Sequence, residues 1–172
     1  LALKEEGLQC GFEGVQYTAT SICAEMRGLG MPASIQNIPS NLNNQDLVSM
    51  GMIAARQCYD ILDKAYYVIT VELLAALQAV EIRMRQRNIE GVYAKESDRA
   101  HYTIAYGFLG ERLAKFYEWV KTDLGIKFVS SDRYLGDDIR NTVGAMLSHA
   151  FTTSDKLHAV FPTPLAVSLP HN

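Results

Sequence analysis

Cysteine is scarce in this chain of 172 residues: Cys10, Cys23 and Cys58 form no C-x-x-C pair and leave an odd count. Neither a disulfide framework nor a zinc site is expected, and a reducing, cytoplasmic setting fits best. An excess of one charge is also lacking. Sixteen Lys and Arg stand against 19 Asp and Glu, with no block of consecutive basic residues, so nucleic acid is not an expected partner. The most apolar stretch, Ala65 to Val80, is interrupted by Glu72 and Gln78 and falls short of the roughly 20 residues of a spanning helix. No membrane partner is expected, and the opening residues carry no signal-peptide pattern. Leu1 stands where Met is usual, so the chain reads as the continuation of something longer: a fragment, a processed chain or half of a split protein. The four histidines (His101, His149, His158, His171) lie at no metal-ligand spacing, and H-E-x-x-H, G-x-S-x-G, P-loop and dinucleotide patterns are all missing. No metal is expected.

What is present is helical periodicity, in a composition (48% hydrophobic, 20% charged) that suits one ordinary soluble domain. Val15, Ala19, Ile22, Cys23 and Met26 recur at three- and four-residue spacing, which predicts a helix over Phe12 to Met26, stopped by Gly28 and Gly30. The polar stretch from Gly28 to Asp46 holds two prolines and four asparagines, which favour turns over regular helix. It exceeds an ordinary connector of about 4 to 6 residues, so a functional loop is expected. From Met52 to about Arg87 neither Gly nor Pro occurs, predicting one helix of about 40 residues and roughly 60 Å. Apolar residues go nearly all the way round between Ala65 and Val80, implying burial on every side by other helices, from further sequence or from neighbouring subunits. Tyr66, Tyr67, Met50 and Met52 read as core residues.

Gly91 ends the rod. Ser97 can cap a helix near Asp98 to Tyr106, a further stripe runs from Glu111 to Asp123 before Gly125, and a last helix spans about Gly136 to Ala150 with Asp137 and Asp138 in its first turn. The expected fold is therefore all-α, in four stretches: a pocket helix and loop (1–46), a central long helix (47–90), peripheral helices (91–150) and an extended tail (151–172).

The best candidate site is Asn41-Leu42-Asn43-Asn44-Gln45-Asp46. It brings neutral amides toward the start of the long helix, where unsatisfied N–H groups favour an anion such as a carboxylate. The same residues also read as a turn and capping cluster, with Asp46 or Ser49 as N-cap. Glu13 and Tyr17 are four apart and share a helix face, where a carboxylate beside a phenol could hold a substrate, or where Glu13 is a solvated first-turn acid. Glu25 could pair with Arg27 or Arg56, and Glu72, if buried, must be paired or face a polar site.

Several ordered motifs resemble one family. Gly11-Phe12-Glu13-Gly14-Val15-Gln16-Tyr17-Thr18-Ala19, Ala24-Glu25-Met26, Pro32-Ala33-Ser34-Ile35, Asn44-Gln45-Asp46-Leu47-Val48-Ser49-Met50-Gly51 and Ile53-Ala54-Ala55-Arg56 look like the aromatic amino acid lyases. That family comprises histidine, phenylalanine and tyrosine ammonia-lyases and the related 2,3-aminomutases. Val71-Glu72-Leu73-Leu74-Ala75-Ala76, Gln78 and Arg83 resemble its central helix, and Asp132-Arg133-Tyr134 is a looser match. The resemblance implies a helical homotetramer in which a methylidene-imidazolone (MIO) group, made from an internal Ala-Ser-Gly, promotes loss of ammonia from a small aromatic L-amino acid. The tripeptide and the catalytic tyrosine base belong to the family's N-terminal half, which the resemblance makes this chain's partner; here Ala33-Ser34 is followed by Ile35.

Position by position, Asn44 and Gln45 match the family's pair lining the substrate pocket. Gln45 stands where histidine-specific members tend to carry Glu, which favours phenylalanine or tyrosine over histidine. Glu13 stands where plant-type phenylalanine lyases carry Lys and histidine lyases an apolar residue, so it is expected to tune orientation. Tyr17 matches an apolar pocket position, and Asn41 lies where phenylalanine lyases have an acid. The implied activity is an ammonia-lyase giving an arylacrylate, this chain alone being inactive. The alternatives are a 2,3-aminomutase giving a beta-amino acid and a non-catalytic oligomerising helical fragment.

Overall fold

The computed structural model describes residues 10–45, 47–87 and 98–148, with backbone alone at 85, 87 and 98–108. Asp46, Gly91, Ser97 and the tail from 151 lie outside these residues, so the cap, the rod's end and the arm expected there do too. Among the described residues four α-helices follow in order: α1 (Glu13–Leu29), α2 (Gly51–Arg87), α3 (Asp98–Thr122) and α4 (Gly136–Leu147). A 3-10 turn at Ala33–Gln36 lies between α1 and α2, and the described residues contain no strand beyond one isolated antiparallel bridge, Ser40 with Gln45.

The long helix is as the sequence implies. With no Gly or Pro between Gly51 and Arg87, α2 runs for 37 residues, or about 55 Å. Met50, with φ 54, breaks the helical path, and its carbonyl accepts from the N–H groups of Ile53 (3.0 Å) and Ala54 (3.1 Å). Met50 therefore occupies the capping position expected of Ser49 or Asp46. α1 runs past its expected end, because Gly28 stays helical; the turn comes at Gly30, whose N–H donates to Met26. The two helices expected after Gly91 form one element with a break at Gly110 (φ 73, ψ 163), a left-handed backbone that glycine adopts without steric cost.

The chain forms two compact units. One is Glu13–Glu72; the other consists of the described residues of Leu1–Phe12 and Leu73–Asn172. The second holds nearly all of the apolar core. Leu74, Leu77 and Met84 of α2, Ala114, Tyr117 and Val120 of α3, and Ile139 and Val143 of α4 are buried at helical spacing. Gly125 (φ 66) ends α3 in a C-terminal cap, with Ile126 N–H returning to the Val120 carbonyl at 3.3 Å.

Gln78 fixes the extended segment after that cap. Its side-chain amide donates to the Val129 carbonyl at 2.7 Å and accepts from the Val129 N–H at 3.1 Å, so one buried side chain pairs both backbone groups as a neighbouring strand would. Gln78→Leu is expected to destabilise the protein by about 2–3 kcal/mol, because it orphans a buried donor and a buried acceptor together. Urea unfolding that changes by less than about 0.5 kcal/mol would contradict this pairing.

The first unit differs in character. No residue of α1 is buried, although Val15, Ala19, Ile22, Cys23 and Met26 form a half-buried stripe as their spacing predicts. Along Ala65 to Val80, α2 is not enclosed on all sides within this chain: Ile69 is 52% exposed and Glu72 is exposed. Tyr67 and Met52, read as core, are exposed as well. By length and composition alone α2 is sufficient to cross a bilayer: within Gly51–Met84 an 18-residue stretch reaches a mean hydropathy of 1.5, because Glu72 and Gln78 are outweighed by the apolar residues around them. Core helices of globular proteins satisfy the same measure.

Candidate functional site

Residues 40–45 form a closed hairpin. Ser40 N–H donates to the Gln45 carbonyl (3.0 Å), Gln45 N–H donates back to the Ser40 carbonyl (3.2 Å), and Asn44 N–H donates to the Asn41 carbonyl (3.0 Å). A second tie follows, from Val48 N–H to Asn37 Oδ1 at 2.7 Å. Between the ends of the hairpin, Asn41, Leu42 and Asn43 take φ values of 51, 54 and 63. Asn tolerates this left-handed region; an ordinary L-residue pays roughly 1–2 kcal/mol for it. The turn thus spends backbone energy to hold Asn44 and Gln45, both exposed, in one place. Residues 46–50 separate this hairpin from α2, so the amides stand apart from the helix's first turn rather than in it.

Glu13 and Tyr17 meet as their spacing predicts. The Tyr17 hydroxyl donates to Glu13 Oε1 at 2.8 Å across one turn of α1, and both side chains are exposed. The bond settles the rotamer of the carboxylate and gives it a charge-assisted partner. The bonds described join the members of each pair, Glu13 with Tyr17 and Asn44 with Gln45's hairpin.

Glu25 pairs with Lys64 at 2.8 Å rather than with Arg27 or Arg56. Lys64 lies 39 positions away, a contact that short-range spacing cannot indicate. This ion pair lies in an open groove of about 270 Å³ lined by Glu25, Leu29, Asp60, Asp63, Lys64 and Tyr67. A larger hollow of about 500 Å³, along Ile53, Arg56, Gln57, Tyr59 and Asp60, is also open. In the other unit, a cavity of about 10 Å³ beside Gln78, Glu81 and Lys121 is water-sized, too small for an amino acid. Glu13, Tyr17, Asn44 and Gln45 line none of these three. Among the described residues no group of His, Cys, Asp or Glu is arranged to hold a metal.

Two polar arrangements have no local signal in the sequence. Asp132 accepts from the N–H groups of Cys10 (2.8 Å) and Gly11 (2.7 Å), a tie across more than 120 residues, at a glycine whose φ is 56. Glu81, 4% exposed, accepts from the Tyr117 hydroxyl at 3.1 Å and pairs with Lys121 at 2.5 Å. Lys121 also lies 5.6 Å from the Tyr117 ring centroid.

Comparison with known proteins places this geometry in context. A family model described as aromatic amino acid lyase matches residues 1–104. The tyrosine ammonia-lyase of Cupriavidus metallidurans is 42% identical over 139 residues, 81% of this chain and 22% of that protein. The MIO-dependent tyrosine 2,3-aminomutase of Streptomyces globisporus is 51% identical over 81 residues, 47% of this chain and 15% of that protein. The histidine ammonia-lyase of Clostridium tetani is 49% identical over 80 residues, 46% of this chain and 16% of that protein. A crystal structure of a tyrosine aminomutase mutant with bound ligand superposes with a TM-score of 0.65 at 35% identity, covering 95% of this chain and 26% of that one. The chain thus spans about a quarter or less of the length of these proteins.

Proposed function

Since the chain belongs to the aromatic amino acid lyase family, we propose that it serves an ammonia-lyase acting on phenylalanine or tyrosine in preference to histidine. The closed hairpin carries this reading: its strained turn presents two exposed amides at consecutive positions, Asn44 and Gln45, as neutral hydrogen-bond donors for a substrate carboxylate. Glu13, held by Tyr17, offers the opposite charge for an ammonium group. The residues present do not suit formation of the MIO electrophile. Ala33-Ser34 is followed by Ile35 inside the 3-10 turn, and Ala33 is buried. The group, an electrophile that promotes ammonia loss, therefore comes from residues other than these, in an N-terminal half that is this chain's partner in a cytoplasmic homotetramer. The exposed apolar surface of α2 supports such an assembly.

The test is product analysis of the complete enzyme with phenylalanine, tyrosine and histidine. Arylacrylate and ammonia from the first two are expected, and conversion of histidine alone would refute the reading. The runner-up, a 2,3-aminomutase, draws on the aminomutases among the relatives. Chiral chromatography separates the two, since a beta-amino acid identifies the mutase.

A further inference from the structure

We infer that Leu42 is a specificity-determining residue, an aliphatic wall against which the substrate's aromatic ring lies; this rests on the lyase reading above. Leu42 sits at the tip of the Ser40–Gln45 hairpin with φ 54 and is fully exposed. Both facts count against leucine within this chain. The left-handed backbone is disfavoured for a branched L-residue, and glycine or asparagine, the residue on either side, would suit it better. Exposure means that the side chain gains no apolar burial in return. What Leu42 contributes is therefore made outside this chain.

The chemistry of the hairpin selects the occupant. Within six residues joined by reciprocal backbone bonds it displays two neutral amides, Asn44 and Gln45, and one aliphatic surface, Leu42. An aromatic amino acid has the matching division, a carboxylate at one end and an apolar ring at the other. The strained turn carries both surfaces on one short closed loop.

Three variants of the complete enzyme test this, assayed by steady-state kinetics with L-phenylalanine. Leu42→Ala keeps the backbone demand and removes most of the aliphatic surface, while Leu42→Gly removes both. Each is expected to raise KM about tenfold with kcat changed much less, the pattern of lost uniform binding. Leu42→Met restores an apolar surface of similar volume and is expected to bring KM back within about threefold of wild type. Leu42→Gly is also expected to unfold at a higher temperature than Leu42→Ala, because it relieves the turn. An unchanged KM in Leu42→Ala overturns the assignment, as does a raised KM accompanied by dissociation in size-exclusion chromatography, which assigns the tip to a subunit contact. If the wild-type enzyme turns over no aromatic amino acid, the lyase reading itself fails. Turnover with an unchanged KM defeats the role of Leu42 alone.

Discussion

Lys121→Met is expected to destabilise the protein by about 3 kcal/mol, because it removes the Lys121 ammonium from the buried Glu81 carboxylate. Glu81 and Lys121 are both largely buried, at 6% and 16% side-chain exposure, so solvent screens their interaction little. The Tyr117 hydroxyl donates to the same oxygen of Glu81, but a neutral donor offsets only part of the cost of desolvating a charge. The double variant Glu81→Met with Lys121→Met separates the worth of the pair from the penalty of breaking it. Apolar replacement of a whole buried ion pair is often neutral or stabilising, so the double variant is expected to be more stable than Lys121→Met alone. Urea unfolding of wild type, both single variants and the double variant measures this. Additive losses would show that the two side chains act independently and would contradict the cluster.

Gln45→Ala is expected to lower kcat/KM for phenylalanine about tenfold to hundredfold in the complete enzyme, without unfolding it. A hydrogen bond to a charged group contributes about 1.5–3 kcal/mol, which sets that range if the Gln45 amide donates to the substrate carboxylate. The fold is spared because the hairpin is closed through backbone groups: Ser40 and Gln45 exchange N–H and carbonyl bonds that alanine retains. The Gln45 side chain is exposed, so its removal opens no core cavity. Unchanged kinetics with an unchanged melting temperature would remove Gln45 from the pocket.

The helices were legible where their signals are local. The absence of Gly and Pro between Gly51 and Arg87 marks α2, and the stripe from Val15 to Met26 marks the face of α1 that becomes half-buried. The Glu13–Tyr17 bond follows from helical spacing. Gly110 carries the break in α3 between the two stretches that the periodicity separates. What stayed hidden depends on contacts distant in sequence or on backbone states that the residue type conceals. Glu81 reaches Tyr117 across 36 residues and Asp132 reaches Gly11 across 121. Leu42 and Met50 adopt φ values that their side chains do not advertise, although the asparagines around Leu42 mark the turn itself. Glu25 finds Lys64 rather than an arginine because the pairing is set by the packing of α1 and α2 within one unit, not by the sequence near Glu25.

The central proposal is that the Asn44–Gln45 hairpin sets which amino acid the complete enzyme accepts. The direct measurement is kcat/KM for phenylalanine, tyrosine and histidine in the wild-type enzyme and in Gln45→Glu. The account predicts that wild type prefers phenylalanine or tyrosine, and that Gln45→Glu weakens both, since a carboxylate in place of the amide repels the substrate's own, while relative preference shifts toward histidine, as the Glu that histidine-specific members tend to carry at this position implies. A preference that is the same in both proteins would contradict it.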